Sequence, residues 1–557
     1  MSDSFMATAS IPARTDQSHP EGHPPGLYTL FGAEAWERFS YYGMRALLVL
    51  YLTKSLGMPR ANALEIYGVY TGLVYLTPLL GGYLADKVLG RRKAVLIGGL
   101  VMALGHLAMA VPSLLHLALA LLIVGNGFFK PNISTMVGGL YTEGDNRRDG
   151  AFTIFYMGIN LGALWSPIVC GTLGEKVSWH VGFAAAAVGM TLGLLQFGWG
   201  QPNLGHTGMP PKAPAPTGLR SMLSKKDYVD VAIWTAASSM VAYLGVLVAP
   251  AVGRALGAGN GAVAAAVILL AAAALGYGLF KGASLQEGKQ LGVIVILCLF
   301  NIFFWMGFEQ AGGTMTIFAE EKTERMVGPV GIIIAGLLVA ACTYNFWRTT
   351  KDEPSGRALW MTLSGMFVLL TLGLFGYGAK LAIDGEQALV PASLFQSVNP
   401  MVIVAFAPTF SKMWVWLDGT KYRLSIPSKM AVGMITLGLG FVVLFMGQKL
   451  GEQTGTKIGM GWLVAVYFIH TLGELCLSPV GLSMVTKLAP ARVASLAMGM
   501  WLGSSAVANY LAGTLEHMLE GKNIPIYGFL IASSAGPAIL LLAMTPMLKK
   551  WMGQHSH

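Results

Sequence analysis

The sequence predicts an all-α, polytopic membrane protein with about 14–16 transmembrane helices. Of its 557 residues, 54% are hydrophobic and only 11% are charged, whereas soluble globular proteins carry about 25% charged residues. Apolar runs of about 20 residues, enough to cross a bilayer core as a helix, recur along the chain. The 71 glycines suit close packing of helices in lipid. A transmembrane β-barrel would instead show alternating segments of about ten residues.

The apolar runs, taken in order, predict sixteen helical spans. Each run approaches or exceeds the length that a transmembrane helix needs. The predicted spans are residues 27–53, 62–86, 94–112, 114–138, 150–172, 179–199, 228–252, 260–281, 290–318, 328–347, 358–380, 393–416, 430–448, 460–486, 493–517 and 525–548.

The positions of Lys and Arg orient these spans. If the N-terminus is cytoplasmic, 23 of the 37 basic residues lie in cytoplasmic segments and 10 lie on the opposite side. This asymmetry predicts that both termini are cytoplasmic. It also accounts for the net charge of +10 without a nucleic-acid partner, so none is expected.

The chain divides into two helical bundles with additions. We expect a disordered cytoplasmic tail (1–26), a first six-helix bundle (27–199), a linker with an inserted helix pair (200–289), a second bundle (290–548) and a short cytoplasmic tail (549–557). A Pro-rich linker leads into the first inserted pair, at 228–281. A second pair, at 328–380, lies in a segment of about 320–390 that interrupts the second bundle. Without both pairs, two six-helix bundles are left, an arrangement typical of carriers with a substrate path between the bundles.

A charged stripe lies inside the first span. Glu34, Glu37, Arg38, Tyr41 and Arg45 follow helical spacing and share one face. A charged side chain at the bilayer centre costs at least about 2.5–3.5 kcal/mol. The stripe therefore must face the bundle interior or a water-filled cavity. An alternative interpretation is a set of ion pairs that only hold helices together.

Several motifs carry a resemblance to a known family. The sequence "EAWER", followed by "FSYYGMR", resembles the first-helix signature of the proton-dependent oligopeptide transporters of bacterial type, a branch of the major facilitator superfamily. The resemblance implies the major facilitator fold, a bacterial inner membrane and a proton gradient as driving force. The segment 320–390 departs from the usual pattern. The other matching segments are Gly81–Lys93, Gly125–Ser134, Phe155–Pro167, Ser393–Pro408 and Gly473–Ser483.

A short peptide is a zwitterion, so its site needs a cation, an anion and adaptable walls. Glu474 is the only acidic residue of its span, and Arg45 and Lys130 are the cationic candidates. The resemblance implies that Glu474 meets the peptide amine, and that Arg45 and Lys130 meet its carboxylate. The asparagines could instead join helices, and the aromatic residues could serve packing or an interface belt. The further candidates are Asn160 and Asn399 for the peptide backbone, Tyr41, Tyr42, Tyr75, Trp305 and Trp501 for the walls, and the hydroxyl of Ser478.

Proton coupling needs carboxylates that change partners during transport. The candidates are Glu34 and Glu37, with Arg38 beside them, and Glu309. The resemblance implies that Glu309 pairs with Arg45 when the outer gate is closed, and that Glu37 pairs with Lys130. The predicted gating residues, for which anchoring of the topology is an alternative role, are Asp86, Arg91, Arg92 and Lys412.

The sequence lacks the motifs of several other classes of protein. It has no phosphate-binding loop, no zinc-ligand pattern and no nucleophile elbow, so we expect neither an enzyme nor a cofactor or metal. The predicted function is proton-coupled symport of di- and tripeptides by alternating access, by a monomer in lipid. The alternative is a carrier of the same fold for nitrate or a peptide-like anion.

Overall fold

The structure, a computed structural model, describes residues 22–142, 145, 147–209, 276–351, 357–490, 493–520 and 522–553. Helices dominate it and confirm the predicted fold class. The helices are α1 Pro25–Leu50, α2 Arg60–Leu76, α3 Pro78–Leu84, α4 Arg91–Ala108, α5 Leu115–Gly139, α6 Arg147–Ser166, α7 Thr172–Lys176, α8 Trp179–Trp199, α9 Leu285–Phe308, α10 Thr314–Lys322, α11 Pro329–Thr350, α12 Arg357–Asp384, α13 Val398–Asp418, α14 Ile426–Thr454, α15 Met460–Leu488, α16 Ala494–Leu519 and α17 Ile526–Met552.

Among the described residues, ten helices are long and apolar enough to cross a membrane. The predicted spans that fall on described residues coincide with helical structure. Most of the predicted helix pair at 228–281 lies outside the described residues, as do nearly all of the predicted N-terminal tail and the last four residues.

Local sequence explains where several helices begin and end. Proline occupies the first turn of α1 and of α11, where its missing N–H breaks no helical hydrogen bond. Ser284 and Glu287 form a capping box before α9, in which the Glu287 N–H donates to the Ser284 hydroxyl at 3.3 Å. α14 ends at Gly455, whose φ of +66° favours glycine.

Short irregular segments interrupt the long helices. Three π turns, at Tyr51–Ser55, Ala85–Leu89 and Pro167–Gly171, extend α1, α3 and α6. A 3-10 turn at Glu309–Gly312 separates α9 from α10, and another at Ala392–Ser397 precedes α13. Such interruptions often occur at functional positions in helices.

The buried side chains form two large hydrophobic cores. The first core draws mainly on residues of 27–204, and the second on residues of 279–552. We call the segments 27–204 and 279–552 the first half and the second half. The two halves come close where α2 meets α16, because Gly68 and Gly513 carry no side chains. A Cβ atom on Gly513 would lie 2.3 Å from the Cα of Gly68.

The second predicted helix pair corresponds to α11 and α12. Asn345 of α11 joins the pair to α13, since its Nδ2 donates to the Ala405 carbonyl at 2.8 Å and to the Thr409 hydroxyl at 2.9 Å. Phe346 and Trp360 belong to the first core rather than to the second. The pair is therefore joined to α13 by hydrogen bonds, while these two buried side chains group with those of the first core.

Four strands of two residues each were not predicted. β1 (Thr323–Glu324) pairs in parallel with β4 (Ile458–Gly459), and β2 (Met326–Val327) pairs antiparallel with β3 (Ala388–Leu389). They join the loops that follow α10, α12 and α14, and so tie these loops together at one end of the second half.

Candidate transport site

A cavity of about 130 Å³ lies between the two halves. The first half contributes side chains from α1, α2 and α6, and the second half from α9, α13 and α15. A site shared in this way can change when the halves move relative to each other. The predicted substrate-binding residues that line the cavity are Tyr42, Arg45, Tyr75, Asn160, Trp305, Asn399 and Glu474.

The cation of the cavity is held across the two halves. The Arg45 guanidinium forms a salt bridge through Nη2 with the Glu309 carboxylate. Its Nε also donates to the Tyr67 hydroxyl at 2.7 Å, and its guanidinium carbon lies 5.6 Å from the centre of the Tyr42 ring. Arg45 and Glu309 are both buried. The predicted partnership between these two residues is therefore present in this conformation.

The second carboxylate of the cavity, that of Glu474, has a different environment from that of Glu309. Glu474 is 8% exposed and accepts a hydrogen bond from Nδ2 of Asn399 at 2.8 Å. The same nitrogen donates to the Thr471 hydroxyl at 3.0 Å. In the described part of the chain, no Lys or Arg forms a salt bridge with Glu474. The carboxylate is thus oriented by an amide and not by a basic residue of the described part of the chain.

The rest of the charged stripe lies inside the first half. Arg38 donates to Glu37 at 2.6 Å, and its Nε lies 3.6 Å from the Glu34 carboxylate. Nδ2 of Asn126, from α5, donates to Glu37 at 3.0 Å. All four of these side chains are almost completely buried.

The expected pair between Glu37 and Lys130 is wrong for this conformation. Lys130 instead forms a salt bridge with Glu34. The reason is the antiparallel packing of α1 and α5, because Asn126 lies level with Glu37 and one turn further along α5 brings Lys130 level with Glu34. Lys130 does not line the cavity.

Three other predicted substrate-binding residues lie away from the cavity lining. Tyr41 is buried and stacks with Tyr70, with ring centres 6.4 Å apart. Trp501 packs on Gly481, where a Cβ atom would lie 2.1 Å from the indole ring. Ser478 is half-buried beyond the lining.

Sequence reasoning missed several residues that line the cavity. Helical spacing could have found the residues one or two turns before a predicted polar residue on the same face, but Phe308 carries no such signal. The residues with that signal are Tyr156, before Asn160, Gln396, before Asn399, and Tyr467 and His470, before Glu474.

Charged residues join the two halves at one end of the molecule. Nε of Arg60 donates to Glu516 at 2.7 Å, and Arg325 lies 3.5 Å from Glu175. Glu175 also accepts hydrogen bonds from the N–H groups of Ala392 and Ser393, both at 2.8 Å. We call this group the sealing cluster, and its charged members are Lys54, Arg60, Glu175, Glu320, Glu321, Arg325 and Glu516.

The predicted gating residues lie at the opposite end. Asp86 accepts from Arg91 at 3.0 Å, as expected. Arg92 is not part of an ion-pair cluster with them, because it is buried and donates to the carbonyls of Thr207 at 2.7 Å and Gly205 at 2.6 Å. It therefore anchors the segment that follows α8.

Two other polar contacts at this opposite end lie within the second half. Nζ of Lys412 donates to the Thr349 carbonyl of α11 at 2.6 Å. Asp418 pairs with Lys429 at 3.5 Å, within the second half. In the loop before α6, hydrogen bonds from Arg147 hold the pKa of the Asp145 carboxyl below its usual range.

Two helical halves that share a cavity lined by buried charged residues define a membrane carrier. Sequence and structure comparisons agree. A sequence model of the POT family matches residues 92–335 and 371–529. The chain is 35% identical to the uncharacterized transporter YclF of Bacillus subtilis, with 95% of each chain covered. It is 31% identical to the di-/tripeptide transporter of Lactococcus lactis subsp. cremoris, with 95% of this chain and 96% of the relative covered.

A solved structure is similar over nearly the whole length. It is a POT family transporter in complex with a thioalcohol-conjugated peptide, with a TM-score of 0.72 and 29% identity over 96% of this chain and 98% of the other. The protein belongs to the POT family, a family of membrane transporters. The unmatched residues 336–370 fall on α11 and α12, so the family model does not cover most of this helix pair.

Proposed function

We propose that the protein carries di- and tripeptides into the cell together with protons, by alternating access. The observation that carries this proposal is the charge arrangement of the cavity. Glu474 has no basic partner among the described residues, whereas Arg45 already has an acidic partner, Glu309. A zwitterionic peptide supplies a cation for the first and an anion that competes for the second.

The peptide ammonium group would bind Glu474, which Asn399 already orients. The peptide carboxylate would bind Arg45, with Lys130 as a second cation reached after a change of partner. Asn160 would hydrogen-bond the peptide backbone, since its amide offers both donors and acceptors. Tyr42, Tyr75, Tyr156 and Trp305 form walls that tolerate different side chains.

The proton would act at Glu309. A neutral carboxyl holds an arginine less strongly than a carboxylate does, so protonation of Glu309 would free Arg45 for the peptide. The same step would weaken a contact between the halves and favour opening at the sealing cluster. Glu34, Glu37 and Arg38 would form a second exchangeable set with Lys130 inside the first half.

The proposed orientation places both termini in the cytoplasm and the sealing cluster at the outer face of the inner membrane. The asymmetric distribution of Lys and Arg supports it. In this orientation the conformation has its outer end closed. We also propose that the bundles comprise residues 27–199 and 290–548, as the two separate cores suggest.

Uptake by purified protein tests the proposal. Labelled dialanine would be offered to proteoliposomes with and without an inward proton gradient. Accumulation only with the gradient is expected, with competition by unlabelled dipeptides and none by nitrate. Absence of uptake by a folded protein, or competition by nitrate instead, would favour another substrate on the same fold.

A further inference from the structure

The residue that would accept the proton lies on a helix break. α9 ends at Phe308, and Glu309 begins the 3-10 turn that leads to α10. Gly313, with φ −114° and ψ −103°, ends the turn. The direction of the Glu309 side chain therefore depends on the contacts that hold this short turn, and less on the long helix before it.

The turn is fitted closely to the arginine that it faces. A Cβ atom on Gly312 would lie 2.0 Å from the Tyr67 hydroxyl oxygen and 3.0 Å from Nε of Arg45. Only glycine leaves room here for the hydrogen bond between Arg45 and Tyr67, beside the salt bridge between Arg45 and Glu309. Small movements of the turn will consequently change the contact between Arg45 and Glu309.

One hydrogen bond links this turn to the peptide side of the cavity. The Tyr467 hydroxyl donates to the carbonyl of Ala311, at 3.1 Å. Tyr467 lines the cavity and is 3% exposed. It lies two helical turns before Glu474 on the same helix, α15, so it connects the helix that carries Glu474 to the turn that carries Glu309.

A second side chain holds the turn from the other side. Nε2 of Gln310 donates to the carbonyl of Ala512 in α16 at 3.0 Å, and to the carbonyl of Met306 at 3.2 Å. Gln310 is 1% exposed, and it does not line the cavity. Hydrogen bonds therefore hold the turn to both α15 and α16.

We propose that Tyr467 is a positioning residue that couples peptide occupancy at Glu474 to the position of Glu309, with Gln310 as the opposing anchor. This inference rests on the proposed function and adds the route by which the two sites communicate. A peptide that shifts α15 would move the Tyr467 hydroxyl, and with it the turn and the Glu309 carboxylate. Without the hydroxyl, the two sites would respond to their ligands more independently.

The test compares two activities of purified protein in proteoliposomes. The first is accumulation of labelled dialanine under an inward proton gradient, and the second is exchange of dialanine without a gradient. Tyr467→Phe and Gln310→Met should lower the ratio of accumulation to exchange by about three- to tenfold, the equivalent of one buried hydrogen bond.

Tyr51→Phe is the matched control, because its buried hydroxyl has no hydrogen-bond partner among the described residues. It should keep the wild-type ratio. A wild-type ratio in both test variants would overturn the inference, and so would an equal fall in both activities, which indicates a merely structural role. Failure of the wild-type protein to accumulate dialanine would instead overturn the proposed function, on which the inference depends.

Discussion

The two ends of the molecule differ in how the halves meet. At the sealing cluster, salt bridges such as Lys54–Glu320 and Arg60–Glu516 cross from one half to the other. At the opposite end, the ion pairs between described residues each stay within one half, as Asp86–Arg91 and Asp418–Lys429 do. Within the described part of the chain, ion pairs therefore join the two halves at the sealing cluster and stay within one half at the opposite end.

The difference indicates how a closed end can open again. Exposed ion pairs contribute only about 0–1 kcal/mol each, and Arg60 and Glu321 are both more than one-third exposed. Arg325 and Glu175 of the same cluster are each only 10% exposed, so the cluster combines weak exposed pairs with a more buried one. The buried pair of Arg45 and Glu309, at the cavity, is more costly to separate, so it is suited to control the opening of the closed end.

The largest expected effect comes from the buried pair that crosses the halves. Glu309→Gln keeps the size of the side chain and removes its charge, so it can no longer respond to a proton. We expect loss of more than about tenfold in gradient-driven accumulation of dialanine, with exchange partly retained. Accumulation and exchange measured in the same proteoliposome preparation provide the check. Accumulation at the wild-type level would exclude Glu309 as the coupling group.

The next largest effect should come from the close contact of α2 and α16. In Gly513→Ala, the new methyl group would lie 2.4 Å from the Leu64 carbonyl oxygen, so the closed end must move apart. Overpacking typically costs about 1–3 kcal/mol. Spin labels at Ser55 and Lys322, in a cysteine-free background, should report a longer distance.

Gly503→Ala is the control for this substitution. Gly503 lies in the same helix, and a Cβ atom there would meet no atom within 4 Å. The label distance should stay at the wild-type value in this variant. Equal distances in the Gly513 and Gly503 variants would contradict the view that close glycine packing holds this end shut.

The sequence predicts those residues of the site that place a charge inside a membrane-spanning segment. Glu34, Arg45, Glu309 and Glu474 were found because charge inside a membrane is costly and needs a reason. The partner of Lys130 was not predicted correctly, because it depends on the register between two antiparallel helices. No spacing rule indicates such a register.

The anchoring role of Arg92 was missed for a related reason. Its partners are backbone carbonyls after α8, more than a hundred residues away, and carbonyls leave no mark in the sequence. Glu175 was missed because it lies near the end of a span, where a carboxylate is unremarkable. Its role depends on facing the start of the 3-10 turn before α13.

A moderate effect is expected from Glu175→Gln. The carboxylate accepts hydrogen bonds from two N–H groups and the Ser393 hydroxyl, and it faces the start of a helical segment that favours negative charge. An amide nitrogen cannot accept these bonds. The population with an open sealing cluster should rise about three- to tenfold, measured with the same label pair. An unchanged population would mean that Glu175 caps the turn without holding the halves together.

The smallest effect is expected at the opposite end. Asp418→Asn removes a carboxylate that is about one-third exposed and that pairs with Lys429 and Arg423 inside the second half. Since neither pair crosses between the halves and the carboxylate that both pairs share is partly exposed to solvent, dialanine uptake should change less than about threefold. Glu452→Gln, which breaks an exposed pair with Lys449 in the same half, is the matched control. A much larger loss in Asp418→Asn alone would indicate that Asp418 contacts the first half in another conformation. The difference between the two ends, in whether ion pairs cross between the halves, would then hold for this conformation only.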